Sequence, residues 1–316
     1  MEKQVAILMS TYNGEQYLGE QIQSIVDQTY SNWHLYIRDD GSKDNTTNII
    51  KSYAEKDDRI TFFNEKKIQN VGVVKSFMEL LDKTDADFYM FSDQDDLWLP
   101  DKIAETLQCM VKQPYQQMPI CIHSDLKVVN ERLQGTHRMN GDRVWHDFYH
   151  LMFRNCVTGC TMMINQSLKI EAENARTDLS KVYMHDWWLA LIASAFGKVV
   201  YLDEATLLYR QHGDNVMGSY ETRSVRNYLH RALHQSADLK RTKGAFMMIN
   251  EFKHVYGDKL NGKKKKYVSE YAKVFSGGTL ITNLCLAIKL PPVKDTLKGK
   301  IFTTYLMTVY ARKLRE

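Results

Sequence analysis

The chain has 316 residues, room for one large domain or for a catalytic domain with an appendage. Apolar residues at 44% and charged residues at 25% are ordinary globular proportions and exclude a disordered chain. The net charge of +4 hides an asymmetry: residues 221–316 hold 20 Lys and Arg against 7 Asp and Glu, while residues 1–220 hold 22 against 31. A basic tail on an acidic body calls for an anionic surface for the tail and a cation for the body.

The chain opens on Val5–Met9, a short apolar run expected of a strand buried on both faces. Five residues are too few for a signal-peptide core or a membrane span, and no later stretch reaches the ~18 apolar residues a spanning helix needs. Leu18, Ile22, Ile25 and Val26 then recur at helical spacing, up to Gln28-Thr29-Tyr30. His34–Arg38 reads as a second strand ending in the turn Asp39-Asp40-Gly41-Ser42, and Ile49, Ile50 and Tyr53 mark a second helix. Ile60–Phe63 is a third strand, Val74, Phe77, Met78 and Leu81 line a third helix, and Asp87–Phe91 is a fourth strand. Pro100 is expected at the first position of a helix carrying Ile103, Leu107 and Met110. This alternation predicts an α/β fold with a mostly parallel sheet and helices on both faces.

Beyond Pro119 the pattern loosens. Ile120–His123, Leu126–Val129, Thr161–Ile164, Lys198–Tyr201 and Thr206–Arg210 read as strands, Asp147–Phe153 as a short aromatic helix and Asp186–Phe196 as a strongly apolar one. From Tyr220 the composition turns basic and helical. The expected division is a catalytic domain over residues 1–218 and a basic helical region over 219–316. Five cysteines, an odd number with no Cys-x-x-Cys pair, argue against a disulfide framework and fit a reducing cytoplasm. Two matches to the N-glycosylation pattern, at Asn45 and Asn165, read as chance.

Ligands of open parallel sheets bind beyond the carboxyl ends of the strands, and the polar clusters fall there: Ser10–Gly14, Asp39–Ser42 and Asp93-Gln94-Asp95-Asp96. Three carboxylates in four residues repel one another. They are either a helix N-terminal acid cluster or the ligands of a divalent cation such as Mg2+ or Mn2+; spacing alone does not choose. Asp186 reads by default as a helix N-cap or first-turn acid ahead of Trp187 and Trp188, one of which is expected in the core. In Tyr209-Arg210-Gln211-His212-Gly213, a neutral His212 could complete a metal shell or, protonated, steady a leaving diphosphate; Arg210 is the second choice for that last role.

The ordered set of Ser10-Thr11-Tyr12-Asn13, Gln28-Thr29-Tyr30, Asp39-Asp40-Gly41-Ser42, Asn70-Val71-Gly72, the Asp93/Asp95 pair and Leu99-Pro100-Asp101-Lys102 resembles family 2 glycosyltransferases with a GT-A fold, over residues 3–215. The resemblance implies a metal at Asp93 and Asp95, completed by His212. It implies a donor nucleotide held by Thr11, Asn13, Asp40, Gly41 and Asp93, with Lys75 near the diphosphate, and Asp40 accepting from a pyrimidine N–H. Asp186 would be the general base of an inverting transfer, with Asp96, Trp187 and Arg210 on the acceptor or leaving-group side. Residues 91–98, 184–188 and 209–215 look most like the rhamnosyltransferases of streptococcal-type cell-wall polysaccharide synthesis. That branch implies a dTDP-β-L-rhamnose donor, a polyprenyl-linked acceptor and a cytoplasmic enzyme peripheral to the membrane; UDP-GlcNAc, UDP-Glc or UDP-Gal are the alternative donors.

The basic runs Lys263–Lys266 and Arg312-Lys313-Arg315 flank apolar stretches at 280–290 and 301–309, which would suit an anionic leaflet. No nucleic-acid module accompanies the charge. A sugar-nucleotide pyrophosphorylase would need a basic Gly-rich loop where Ser10–Gly14 stands, and a non-catalytic sugar-nucleotide scaffold would not need Asp186.

Overall fold

The computed structural model describes residues 2–141, 144–211, 235–289 and, beyond these, 301, 304, 305, 307 and 308. The chain divides into two compact units: Met1–His146 with Cys156–Asn174 and His185–Val216, and Asp147–Asn155 with Ala175–Met184 and Met217–Glu316. Two short segments from within the first two hundred residues thus belong to the unit that holds the basic C-terminal part.

The first unit is built on a mixed sheet. Its strands are β1 (Val5–Thr11), β2 (Trp33–Asp39), β3 (Ile60–Phe62), β4 (Phe88–Ser92), β5 (Leu97–Trp98), β6 (Ile120–Val129), β7 (His137–Arg138), β8 (Met162–Asn165) and β9 (Lys198–Arg210). They lie in the order β3-β2-β1-β4-β8-β6-β9-β5, with β7 on β6. β1 is central: Val5 to Met9 are at most 1% exposed, as a strand covered on both faces must be. Each such aliphatic side chain contributes about 1.5–3 kcal/mol over its exposed state. Helices α1 (Leu18–Val26), α2 (Thr46–Ala54), α3 (Val73–Lys83) and α4 (Lys102–Val111) connect the first strands. α1 buries Leu18, Ile22 and Ile25, one stripe at helical spacing.

The parallel register matters for function. Thr11 pairs with Asp39 and Ser10 with Arg38 across β1 and β2, and Met9 pairs with Ser92 across β1 and β4. The polar clusters after these three strands therefore end level, along one rim of the sheet.

The sheet is mostly parallel as expected, with β8 running antiparallel between β4 and β6. Two expectations are revised. The two strands expected on either side of Ser124-Asp125 are one strand, β6, and those around Asp203 are one strand, β9; they pair in parallel with irregularities at Ser124/Asp125 and Asp125/Lys127. The polar pair lies inside β6, where Asp125 is 0% exposed and Leu126 N, Asn140 N, Gly141 N, Arg138 Nε and Tyr201 Oη all donate to its carboxylate. Helix α4 starts at Lys102, with Asp101 as its cap and Pro100 before it.

α6 (Gln166–Glu173) follows β8, and α7 (His185–Phe196) has every residue from 185 to 195 buried. The second unit contains α5 (Phe148–Leu151), α8 (Gln235–Tyr256), α9 (Gly262–Ser276) and α10 (Leu280–Lys289). Its core is aromatic: Phe153 meets Phe246 and Tyr271 edge-on, at 5.9 and 4.8 Å between centroids, and Phe252 packs on Phe148 and Tyr256. Buried Glu251 accepts from Asp178 N at 2.9 Å and pairs with Lys181. Among the described residues no helix is long and apolar enough to cross a membrane.

Candidate active site

The β2 end is a closed hydrogen-bond network. Asp39, fully buried, accepts from Gly41 N at 3.0 Å, Ser42 N at 2.8 Å and Thr11 Oγ1 at 3.0 Å, which folds the turn over its carboxylate. Asp40, 5% exposed, accepts from Arg38 Nη1 at 2.8 Å and Val71 N at 2.7 Å on Oδ1, and from Gly72 N at 3.0 Å on Oδ2. Arg38 also pairs with Glu79 at 2.9 Å. Asn70 donates to the Asp40 carbonyl at 2.8 Å, so Asn70-Val71-Gly72 wraps Asp40 from the far side. Gly41 and Gly72 take φ of 91° and 82°, which only glycine adopts without strain.

At the β1 end, Gln94 bridges to Tyr12 with both halves of its amide: Tyr12 N donates to Oε1 at 2.8 Å and Nε2 donates to the Tyr12 carbonyl at 3.0 Å. A Cβ on Gly14 would sit 2.4 Å from Gln94 Oε1, so the glycine makes room for this bridge. Asn13 is exposed at φ 49°, its backbone donating to Ser42 Oγ and its side chain accepting from Lys43 N. Lys75 is exposed on the first turn of α3. Thr11 is not offered to a nucleoside through its side chain: it is 1% exposed with its hydroxyl spent on Asp39.

The acid loop after β4 is the opposite case. Asp93 and Asp96 carboxylate oxygens and Cys160 Sγ lie within 4.8 Å of one another. Asp96 is 0% exposed, and among the described residues its oxygens meet only the weak thiol donor of Cys160, with no amide or cation donating to them. Burial holds its carboxyl well above the usual range, and the charges of Asp93 and Asp95 push it further. Burial, then Asp95 and Asp186, push Asp93 up to about 7. Lys102, also 0% exposed, is drawn down to about 8 by burial; it donates to Thr206 Oγ1 at 3.1 Å and lies near Asp96. Burial and the flanking carboxylates raise the Cys160 thiol well above its usual value, so it is a neutral wall rather than a thiolate ligand. The carboxylates fit a hard divalent cation, since Asp96 has unmet acceptor capacity and the loop has excess negative charge; the protonated thiol does not. Asp96 faces this cluster rather than an acceptor, contrary to its expected place.

Arg210, at the end of β9, is likewise not aimed at a leaving group. It is 3% exposed, and donates from Nε to the Asp95 carbonyl at 3.2 Å and from Nη1 to the Glu131 carbonyl at 2.9 Å, with its guanidinium 4.4 Å above the Tyr17 ring and paired to Glu20. It is a strut for the acid loop. β5, pairing with β9 through Leu97 and Leu208, brings the two together.

Asp186 stands in the first turn of α7, 6% exposed, accepting from Gly159 N at 3.0 Å. Its charge is felt at Asp93, so the acid loop and the start of α7, ninety residues apart in sequence, share one locale. Gly159 and Cys160 form the bridge between them. Trp187 and Trp188 are 1% and 0% exposed, so both are core and neither presents a ring to a sugar. His185 packs on Phe77 at 4.1 Å and on Phe91, and burial takes it down to about 3, so it is neutral. His212 lies outside the described residues. Sequence reasoning missed Arg38, Gln94, Lys102 and Cys160; an arginine ending an apolar strand and a neutral residue between two acids were the available signals.

Among known proteins, a model of glycosyl transferase family 2 matches residues 6–167. A dTDP-rhamnosyl transferase, RfbG of Shigella flexneri, is 30% identical over 219 residues, 67% of this chain and 74% of that protein. The Escherichia coli UDP-Glc:alpha-D-GlcNAc-diphosphoundecaprenol beta-1,3-glucosyltransferase WfgD is 26% identical over 165 residues, 52% of this chain and 61% of that one. Among solved structures, the mannosyltransferase PcManGT of Pyrobaculum calidifontis, in complex with GDP-Man and Mn2+, superposes with a TM-score of 0.57 at 13% identity, covering 100% of this chain and 87% of that one. The sheet and its helices have the GT-A architecture, and the chain belongs to glycosyl transferase family 2.

Proposed function

We propose that this glycosyltransferase is an inverting, divalent-cation-dependent enzyme that moves L-rhamnose from dTDP-β-L-rhamnose to a rhamnose-bearing, polyprenyl-linked acceptor in cell-wall polysaccharide synthesis. The observation that carries the chemistry is the meeting of Asp186 with the unsatisfied acid loop at one rim of the sheet. Among the described residues Asp40 Oδ2 accepts from Gly72 N alone, which would leave a lone pair for the ring N–H of a pyrimidine. Gly41, Asn13 and Lys75 line the same strand ends, and Asp93 reaches the donor sugar side. Asp93 and Asp95, with His212, would hold Mn2+ or Mg2+; when bound, that ion supplies positive charge beside a leaving diphosphate. Asp186 takes the proton of the acceptor hydroxyl as its oxygen bonds to the anomeric carbon and the bond from that carbon to the phosphate oxygen breaks, with inversion.

Rhamnose as the sugar is supported by the Shigella relative's name, and a lipid-linked acceptor by the diphosphoundecaprenol in the Escherichia coli relative's name. We place the enzyme on the cytoplasmic face of the membrane as a peripheral protein. The test is diphosphate release from a panel of nucleotide sugars, with and without Mn2+, on a rhamnose-bearing lipid acceptor. Turnover of dTDP-rhamnose that stops with chelator supports the reading. Turnover of UDP-Glc, UDP-GlcNAc or UDP-Gal with dTDP-rhamnose inert removes the rhamnosyl assignment, and no loss on Asp186→Asn would make the chain a sugar-nucleotide scaffold.

A further inference from the structure

The second unit turns an apolar helix face to solvent and fixes it there. α10 is anchored on one side: Asn283 and Leu286 are buried, and Tyr271 of α9 donates to the Leu286 carbonyl at 2.9 Å. The turn from α9 is closed by Gly277 N and Gly278 N, both donating to the Lys273 carbonyl, at 3.1 and 2.7 Å. Gly277 has φ of 126°, and a Cβ on Gly278 would meet Asn283 Oδ1 at 2.4 Å, so the turn sets which edge of α10 faces inward. On the opposite edge, Leu280, Leu284, Ile288, Ile281 and Cys285 follow one another around an arc of about 140°. Ile281 and Ile288 are 74% and 75% exposed, Leu280 61%. Ile301 and Tyr305 add further exposed apolar surface. A contiguous patch of this kind marks an interaction surface.

Charge chooses the occupant. By sequence the second unit holds 23 Lys and Arg against 9 Asp and Glu, a net +14. Lys263, Lys265 and Lys266 are exposed at the start of α9, Lys273 at its last turn, and Lys289 is exposed next to Ile288. A second copy would bring the same positive charge against this face. Nucleic acid would satisfy the lysines and leave the aliphatic arc in water. Anionic phospholipid satisfies both, with phosphates for the lysines and acyl chains for the arc. We propose that α10 docks this face on an anionic lipid surface. Ten residues span about 15 Å, so the helix lies in the plane of the headgroups and does not cross the bilayer.

The inference deepens the acceptor side of the proposed function and rests on that reading only for its purpose, so binding and transfer are measured separately. The full chain is sedimented with vesicles of equimolar phosphatidylglycerol and phosphatidylcholine, and with vesicles of phosphatidylcholine alone. Binding is expected only to the anionic vesicles, weakening with salt, and falling about tenfold or more in Ile281→Glu/Ile288→Glu with unchanged circular dichroism. Should that variant unfold, Lys265→Glu/Lys266→Glu must lower anionic-vesicle binding several-fold. No binding by the wild type, equal binding by wild type and a folded variant, or a wild-type dimer made monomeric by the substitutions overturns the proposal, the last in favour of a second copy. Loss of sugar transfer from every donor with vesicle binding intact would instead strike the proposed function and leave this surface standing.

Discussion

Asp40 and Asp96 are both buried carboxylates at strand ends of one sheet, and the chain treats them in opposite ways. Asp40 receives three donors from an arginine and two backbone amides, while Asp96, among the described residues, meets only the weak Cys160 thiol and is pressed by Asp93 and Asp95. An isolated buried carboxylate costs several kcal/mol, so it is neutralised either by taking up a proton or by a bound cation. The rim therefore has a finished half, satisfied within the fold, and an unfinished half that the proposed cation would complete. Preorganisation on the first side and unspent charge on the second are what a transferase with a nucleotide donor and an acidic leaving group needs.

The sharpest test of this contrast is Asp186, the proposed base beside the unfinished half. Asp186→Asn should lower the turnover number by about 10²–10⁴-fold while the donor KM hardly moves, measured by steady-state diphosphate release. Chelation, or Asp95→Asn, should cost about 10²–10³ in turnover and be rescued by excess Mn2+ only in the first case. On the finished half the loss should appear in donor KM and in stability rather than in turnover. Asp40→Asn weakens a buried ion pair and should cost about 3 kcal/mol in urea unfolding, the low end for such pairs because Arg38 keeps Glu79. Asp96→Asn should do the reverse, leaving the metal-free protein as stable or more stable at pH 8 while transfer is lost; an equal loss of stability in both variants would erase the contrast.

A smaller effect follows from proton binding at Asp93. Its carboxyl sits at about 7 in the fold against an ordinary 3.8, so the folded chain holds this proton more tightly than the unfolded one. The stability linked to it is present below 3.8 and lost as pH rises through about 7. The melting temperature of the metal-free protein should therefore fall between pH 4 and 7, and added Mn2+ should raise it more at pH 8 than at pH 5. Gly72→Ala, forced into a φ of 82°, should cost about 1–2 kcal/mol, the smallest change of the set.

How far the sequence foretold this depends on where each residue's partner lies. β1, α1 and β2 were legible because their apolar spacing is a local property, and the polar clusters at their ends followed from the parallel order. β8 was found as a strand but not as an antiparallel one, since four apolar residues carry no direction. Ser124-Asp125 misled because four of the five donors that pay for burying Asp125 come from residues 138 to 201, beyond the reach of local spacing. The same blindness explains the site. Asp93 and Asp186 stood out as acids at the ends of apolar runs, whereas Thr11, Trp187 and Arg210 looked available and turned out to be committed to Asp39, to the core and to the Asp95 carbonyl. Cys160 gave no signal, because its relevance is created by folding alone.

Gln94 gives the Asp-x-Asp spacing a mechanical reading. Two like charges flanking a single residue would make the loop recoil from itself, and a spacer without a grip could not prevent it. The amide between them is a rivet, fastened to the strand-one loop at both its oxygen and its nitrogen, and seated on the bare backbone of Gly14. Glutamate at that position would keep the reach and lose the donor, and asparagine would keep the chemistry and fall short by one methylene. The neutral middle residue is thus what lets two repelling neighbours be held still long enough to share a guest.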